Sequence, residues 1–352
     1  MKNSPWVQWL DSFFDNRKSK SSPTDQNRKL ALVVAIALTF DICGALASAP
    51  ARAAEKLPRV GILFIGGSDQ PHLESFKQGL RERGYSEGKN IIFVYRYAEG
   101  KQERLADLAA ELVGEKVDVI VTTAAISALA ARRVTRTLPI VMTSGNPLET
   151  GLADSLAKPG GNVTGLTLML SDLSVKRLEL LKESFPKKTR VAALWSPIER
   201  EAVVGIKETT DAAKVLSLRL HVLEIKSPEG IDHAFSAMTK ARDSALVVIL
   251  SPLVTLNSKR IVDLALKHRL PGIYPTRQFV EEGGLMAYGP LIGDLYRRAA
   301  TYVDKILKGT KPAELPIEQP MKFDFIVNLK TAKQIGVTIP PNVVVRADKV
   351  IR

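Results

Sequence analysis

Arg59-Val60-Gly61-Ile62-Leu63-Phe64-Ile65-Gly66-Gly67-Ser68 is the stretch that decides the fold. From Val60 to Ile65 the chain is apolar or glycine at every position, and it then breaks at two glycines. Continuous rather than alternating apolar residues mark a strand buried on both faces, as in a parallel sheet covered by helices above and below. Pro71 to Arg83 follows with Leu73, Phe76 and Leu80 on one helical stripe, and Gly84 suits the left-handed residue that closes a helix. Working outward, strands are expected at Asn90–Tyr95, Val117–Thr122 and Leu138–Met142. Helices are expected between them at Gln102–Val113, closed by Gly114, and at Ser127–Thr135. This β-α alternation implies a parallel sheet with right-handed crossovers.

Pro159-Gly160-Gly161-Asn162 reads as a turn before a short strand, Val163–Leu168. From Ser171 the rhythm restarts. A helix to Phe185 precedes the strand Arg190–Trp195. The helix Glu201–Leu216 precedes Leu220–Ile225, and Gly230–Arg242 precedes Ala245–Leu250. Then come the helix Asn257–His268, the strands Gly272–Pro275 and Leu285–Tyr288, and a long helix Leu291–Leu307 ended by Gly309. The tail offers a strand Phe323–Val327 and a helix Leu329–Ile335. The fold class read from this is α/β, with two consecutive units joined near 166–172 and several crossings between them. One half is expected to comprise 57–168 plus about 290–318, the other 169–289 plus about 320–352.

The head reads differently. Arg28-Lys29, an apolar run from Leu30 to Phe40 and Ala51-Arg52-Ala53 together resemble a cleavable export signal after a long leader, residues 1–53. The run is shorter than the ~20 residues that span a bilayer. Cys43 follows Phe40-Asp41-Ile42, which lacks the small residue a lipidation site places before its cysteine. Without 1–53 the chain has no cysteine, hence no disulfide and no thiolate chemistry. It keeps 43 basic against 33 acidic residues, from a full-chain charge of +13. These are spread along helices and mixed with acids, as in Lys176-Arg177-Leu178-Glu179, which reads as a solvated basic surface rather than a nucleic-acid site.

The chemistry motifs of α/β enzymes are missing. There is no G-x-x-x-x-G-K-[ST], no G-x-G-x-x-G after a strand, no G-x-S-x-G and no H-E-x-x-H. His72, His221, His233 and His268 show no metal-ligand spacing. No catalytic residue, metal or cofactor is expected. The strand-end loops are instead small and polar. Gly67, Ser68, Thr123, Ala124, Ser144 and Asn146 stand at strand ends of the first unit, where hydroxyls and helix-start N–H groups suit a carboxylate. Trp195 and Ser251 hold the equivalent places in the second, and Tyr274 and Tyr288 offer aromatic walls. Each such loop can also be simply a turn or a helix cap.

Several segments resemble the substrate-binding proteins of ABC importers, in the group often labelled tryptophan/tyrosine transport. They are Arg59-Val60-Gly61-Ile62-Leu63, Phe76-Lys77-Gln78-Gly79-Leu80, Pro159-Gly160-Gly161-Asn162-Val163-Thr164-Gly165, Gly283 to Gly289, Tyr302 to Gly309 and Leu315-Pro316-Ile317-Glu318-Gln319-Pro320. The resemblance implies a two-lobed periplasmic-binding-protein-like fold of type I. It also implies a small-molecule ligand, amino-acid-like or another small carboxylate, captured by hinge closure. The implied partners are an ABC permease and ATPase in the membrane, with no nucleic acid; the protein is expected to be periplasmic and a monomer. Aromatic amino-acid binders of this group carry Asn-Pro where this chain has Ser196-Pro197. They carry a polar Asp-Asn-type loop where it has Ser251-Pro252-Leu253-Val254, so a more apolar second wall is expected. The rival readings are a ligand sensor of the same fold partnering a receptor, and a periplasmic enzyme.

Overall fold

The computed structural model describes residues 56–68, 71–168, 171–198 and 200–352. The expected export signal at 1–53, with Cys43, lies outside the described residues. In chain order the first half runs β1 (Arg59–Phe64), α1 (Pro71–Arg81), β2 (Ile92–Tyr97), α2 (Leu105–Gly114), β3 (Val119–Thr122), α3 (Ala124–Val134), β4 (Ile140–Met142) and β5 (Val163–Gly165). It continues with α4 (Ser171–Ser184), β6 (Arg190–Trp195), α5 (Arg200–Val215), β7 (Arg219–Glu224), α6 (Gly230–Ala241) and β8 (Ala245–Val248). Next are α7 (Pro252–Leu256), α8 (Ser258–Lys267), β9 (Gly272–Tyr274), α9 (Arg277–Glu281) and β10 (Met286–Pro290). The last elements are α10 (Ile292–Leu307), β11 (Phe323–Asn328), α11 (Leu329–Ile335), α12 (Pro341–Val344) and β12 (Lys349–Ile351).

These strands form two sheets flanked by helices. One is five-stranded and parallel, in the order β2-β1-β3-β4-β5; the other is seven-stranded, in the order β12-β11-β10-β9-β8-β6-β7. The reason lies in β1. Val60, Ile62 and Phe64 point into a core with Leu73, Phe76 and Leu80 of α1, while Leu63 points into a second core with Leu105, Leu108 and Leu112 of α2. Gly61 faces that second core, where a Cβ would already stand 3.2 Å from Leu112. Each fully buried Leu, Ile, Val or Phe contributes about 1.5–3 kcal/mol, so a strand apolar on both sides holds two helical layers at once. The interior strand β8 repeats this: Ala245 and Val247 face one core, Leu246 and Val248 the other.

After β10 the chain returns to the five-stranded half. Helix α10 buries Leu295, Ala299, Ala300, Val303 and Ile306 in the core beneath β1 and lies against α1 at backbone distance. A Cβ on Gly79 would be 2.4 Å from the Arg297 carbonyl. The next crossing is tied to the one near 166: Glu318 N–H donates to the Gly165 carbonyl, and Thr167 N–H to the Glu318 carbonyl, each at 3.0 Å.

Two expectations are corrected here. The seven-stranded sheet is mixed, because β11 runs antiparallel to β10. The chain re-enters beside the end of β10, with Leu291 N–H donating to the Lys322 carbonyl at 3.1 Å, so it can pair only by running back. Gly114 does not close α2 in the left-handed region; Lys116, φ 53°, takes that conformation two residues later. Gly84, by contrast, has φ 88°. Among the described residues no helix is long and apolar enough to cross a membrane.

Candidate functional site

Five strands of each sheet share one winding order, β2-β1-β3-β4-β5 and β7-β6-β8-β9-β10. In each, the connections after the first and third strands in chain order leave on opposite faces. The crevice that opens at their carboxyl ends is where open α/β sheets take ligands. Those positions are Gly66-Gly67-Ser68 and Thr123 in one half, Trp195-Ser196 and Leu250-Ser251 in the other. The two crevices face each other. Leu250 packs against the core of the five-stranded half. Leu256 reaches within 3.5 Å of where a Gly100 Cβ would be, and Ile198 lines one groove with Ala125, Ile126 and Leu129 of α3. Leu250, Leu256, Gly100, Ile198 and Ala125 all follow carboxyl ends of strands.

The wall from the first half is built from backbone outward. Ala124 opens α3 with φ 59°, and its N–H donates to Ser144 Oγ at 2.9 Å. Gly145 has φ 110° and sits so close that a Cβ would be 2.7 Å from the Ala125 nitrogen. Its carbonyl accepts from Thr167 Oγ1 at 2.5 Å and from Leu168 N–H at 3.3 Å, which fastens this loop to a crossing segment. Thr123, 9% exposed, is the N-cap residue of α3, yet its hydroxyl makes no capping bond. The Thr123 hydroxyl and the N–H groups that follow Ala124, at the start of an 11-residue helix, therefore stand at the carboxyl end of β3 beside the crevice. On the neighbouring loop, Glu99 holds φ 53° with its carboxylate against Gly67, where a Cβ would be 2.6 Å from Oε2. Nearby, the His72 ring lies 5.5 Å from that of Tyr296, and burial pushes its pKa below the ordinary histidine value.

Some of the buried polar atoms without a hydrogen-bond partner among the described residues lie at these strand ends or on the helices beside them: Thr122 Oγ1, Ser127 Oγ, Trp195 Nε1, Ser196 Oγ, Thr276 Oγ1 and Arg177 Nη2; others, at Arg59, Arg132, Asn162 and Asp243, lie elsewhere. Each such group costs roughly 1–3 kcal/mol when left unmet, so stability alone does not favour placing six of them around one crevice.

The structure brings Gly67, Ser68, Thr123, Ala124 and Ser144 to the first wall and Trp195 to the second. Other expected contacts have other partners. Tyr274 is 1% exposed and stacks on Phe279 at 5.1 Å inside the core of the seven-stranded half, so it is a packing residue and not a cleft wall. Ser251 is 2% exposed and caps α7 by accepting from Val254 N–H at 3.3 Å. Asn146 Oδ1 accepts from Leu148 and Glu149 N–H groups and shapes its own turn. Tyr288 stacks on Phe323 at 6.4 Å and packs on the core, while its carbonyl accepts from Arg177 Nε.

The sequence alone does not single out Glu99, Thr276 or Arg177. The run Lys176-Arg177-Leu178-Glu179 reads as solvated charge, but Arg177 is 1% exposed. The signal was its phase: it lies four residues after Leu173 and three before Leu180, on the buried stripe of α4.

Comparison with known proteins agrees with this geometry. The family model described as "ABC transporter substrate binding protein" matches residues 64–351. A curated "Tyrosine-binding protein" of Clostridioides difficile (strain R20291) is 27% identical over 272 residues, covering 76% of this chain and 78% of that one. A Streptococcus pneumonia "ABC domain in complex with L-Trp" superposes with a TM-score of 0.77 at 26% identity, covering 84% of this chain and 100% of the other. A "conserved domain protein" of Vibrio cholerae gives 0.78 at 28% with the same coverage. With two α/β sheets meeting at their ligand-binding ends and a family match over most of its length, the chain belongs to the ABC transporter substrate-binding proteins.

Proposed function

We propose that this protein is the extracytoplasmic receptor of an ABC importer. It captures a small carboxylate-bearing molecule, of the size and kind of an aromatic amino acid, between its two lobes. We take the lobes as 57–168 with about 290–318, and 169–289 with about 320–352. The observation that carries the reading is the paired crevice: small polar loops on one side, Trp195 and Leu250 on the other, and unpartnered buried hydroxyls between crossings. The tyrosine-binding and L-Trp-bound relatives support the ligand class. The first wall offers Thr123, Ser144 and a helix start for a carboxylate. The second is apolar enough for a ring. No bond is made or broken. The ligand binds the closed arrangement better than the open one and so shifts the equilibrium toward it, and the closed form docks on a permease served by an ATPase.

A thermal-shift screen of the purified protein against amino acids, aromatic acids and other small carboxylates tests capture. A ligand at 100 times its Kd raises stability by about 2.7 kcal/mol. Small-angle scattering with and without that ligand tests closure. Conversion of the ligand to a product, or no stabilisation by any compound, overturns the reading.

A further inference from the structure

Arg177 is the largest fully buried side chain among the described residues. Its Nε–H donates to the Tyr288 carbonyl at 2.8 Å. Its Nη2 is buried with no partner, and no carboxylate pairs with it among the described residues. Burial pulls its pKa down to about 10, which leaves it charged at neutral pH. A buried charge met by the carbonyl and phenol of Tyr288 but by no carboxylate among the described residues is costly for a fold to hold, and it persists where something else answers the charge.

Its position says what that is. Helix α4 is the first after the chain crosses into the second lobe, and Tyr288 stands two residues before Pro290, where the chain crosses back. The adjoining Gly289 lies against Pro275, whose carbonyl would be 1.9 Å from a Cβ there, and next to Thr276. Thr276 Oγ1, buried and unpartnered, follows the carboxyl end of β9. Side chains lean toward the N-terminus of their helix, which carries the guanidinium toward the crossing. The charge therefore lies buried beside the carboxyl end of β10, at the end of the sheet where the crevice opens.

We propose that Arg177 is the anion receptor of this site, taking a carboxylate of the captured molecule with its planar, paired N–H donors. The proposal rests on the capture reading above. Thr123 and Ser144 then supply neutral donors from the opposite wall, and the formal charge of the cargo is matched from the second lobe. An acid is thereby distinguished from its uncharged amide.

The test compares wild type, Arg177→Gln and Arg177→Lys by thermal shift and calorimetry. The probes are L-tyrosine, L-tryptophan, phenylacetate and benzoate, each against its primary amide. Arg177→Gln should leave the ligand-free melting temperature unchanged or raised, because it removes an uncompensated buried charge. It should weaken binding of the acid about tenfold or more, as expected for losing a hydrogen bond to a charged group. It should leave binding of the amide as it was, with Arg177→Lys falling between. An acid-to-amide ratio equal to wild type overturns the proposal. So does a ligand-free protein that melts lower or cannot fold in both variants, since that pattern assigns Arg177 to the scaffold. If wild type itself binds none of these probes, the capture reading fails first.

Discussion

Thr123 and Ser144 carry hydroxyls to the same wall, but the fold uses them differently, and removing each should therefore separate binding from stability. Thr123 Oγ1 makes no capping bond to α3. Thr123→Ala should leave the ligand-free protein within about 0.5 kcal/mol of wild type, the ordinary range for a substitution that breaks no contact. Ser144 Oγ accepts the Ala124 N–H at 2.9 Å, and Ala124 sits at φ 59°. Ser144→Ala strands that N–H in a half-buried turn already strained by a left-handed alanine, costing about 1–2 kcal/mol. For a two-lobed chain of this length that is a fall of roughly 2–3 °C in Tm. Toward ligand the two should converge. A hydroxyl donating to a carboxylate contributes about 1.5–3 kcal/mol, or roughly 10- to 150-fold in Kd. Calorimetry with the tightest acid from the screen, beside thermal melts of the ligand-free variants, reads both quantities. Unchanged Kd in both variants refutes the cradle. A Tm loss for Thr123→Ala as large as that for Ser144→Ala refutes the distinction between them.

Gly145→Ala should be far more damaging, since its Cβ would stand 2.7 Å from a backbone nitrogen at φ 110°. A loss of about 2–5 kcal/mol in chemical denaturation is expected, and a wild-type midpoint argues against this geometry. Burial lowers the pKa of His72, so the unfolded chain binds the extra proton more readily. Stability from His72 is then present above the unfolded histidine value of 6.5 and lost as pH falls below it. Melting curves from pH 8 to 5 should show that decline, and His72→Gln should flatten it; an unaltered slope removes His72 as the cause.

Much of this molecule was legible in the chain itself. The unbroken run from Val60 to Ile65 and the restart after Ser171 dictated two α/β units, because a strand apolar on both faces must be covered twice. Strand ends with Gly67, Thr123 and Ser144 were legible too, since small polar residues after a buried strand have few other places to go. The tertiary structure alone decided the rest. Tyr274 left the cleft because its ring fits beside Phe279, and a sequence does not show which face of a three-residue strand meets a core. Strand β11 turned antiparallel because its partner's end was where the chain re-entered. Arg177, one charge among many along a helix, became a buried cation because α4 packs under β10 there. Periodicity is a local property that propensity and burial write into neighbouring residues. Which polar atom ends up without a partner depends on contacts over a hundred residues apart, and those exist only once the chain has folded.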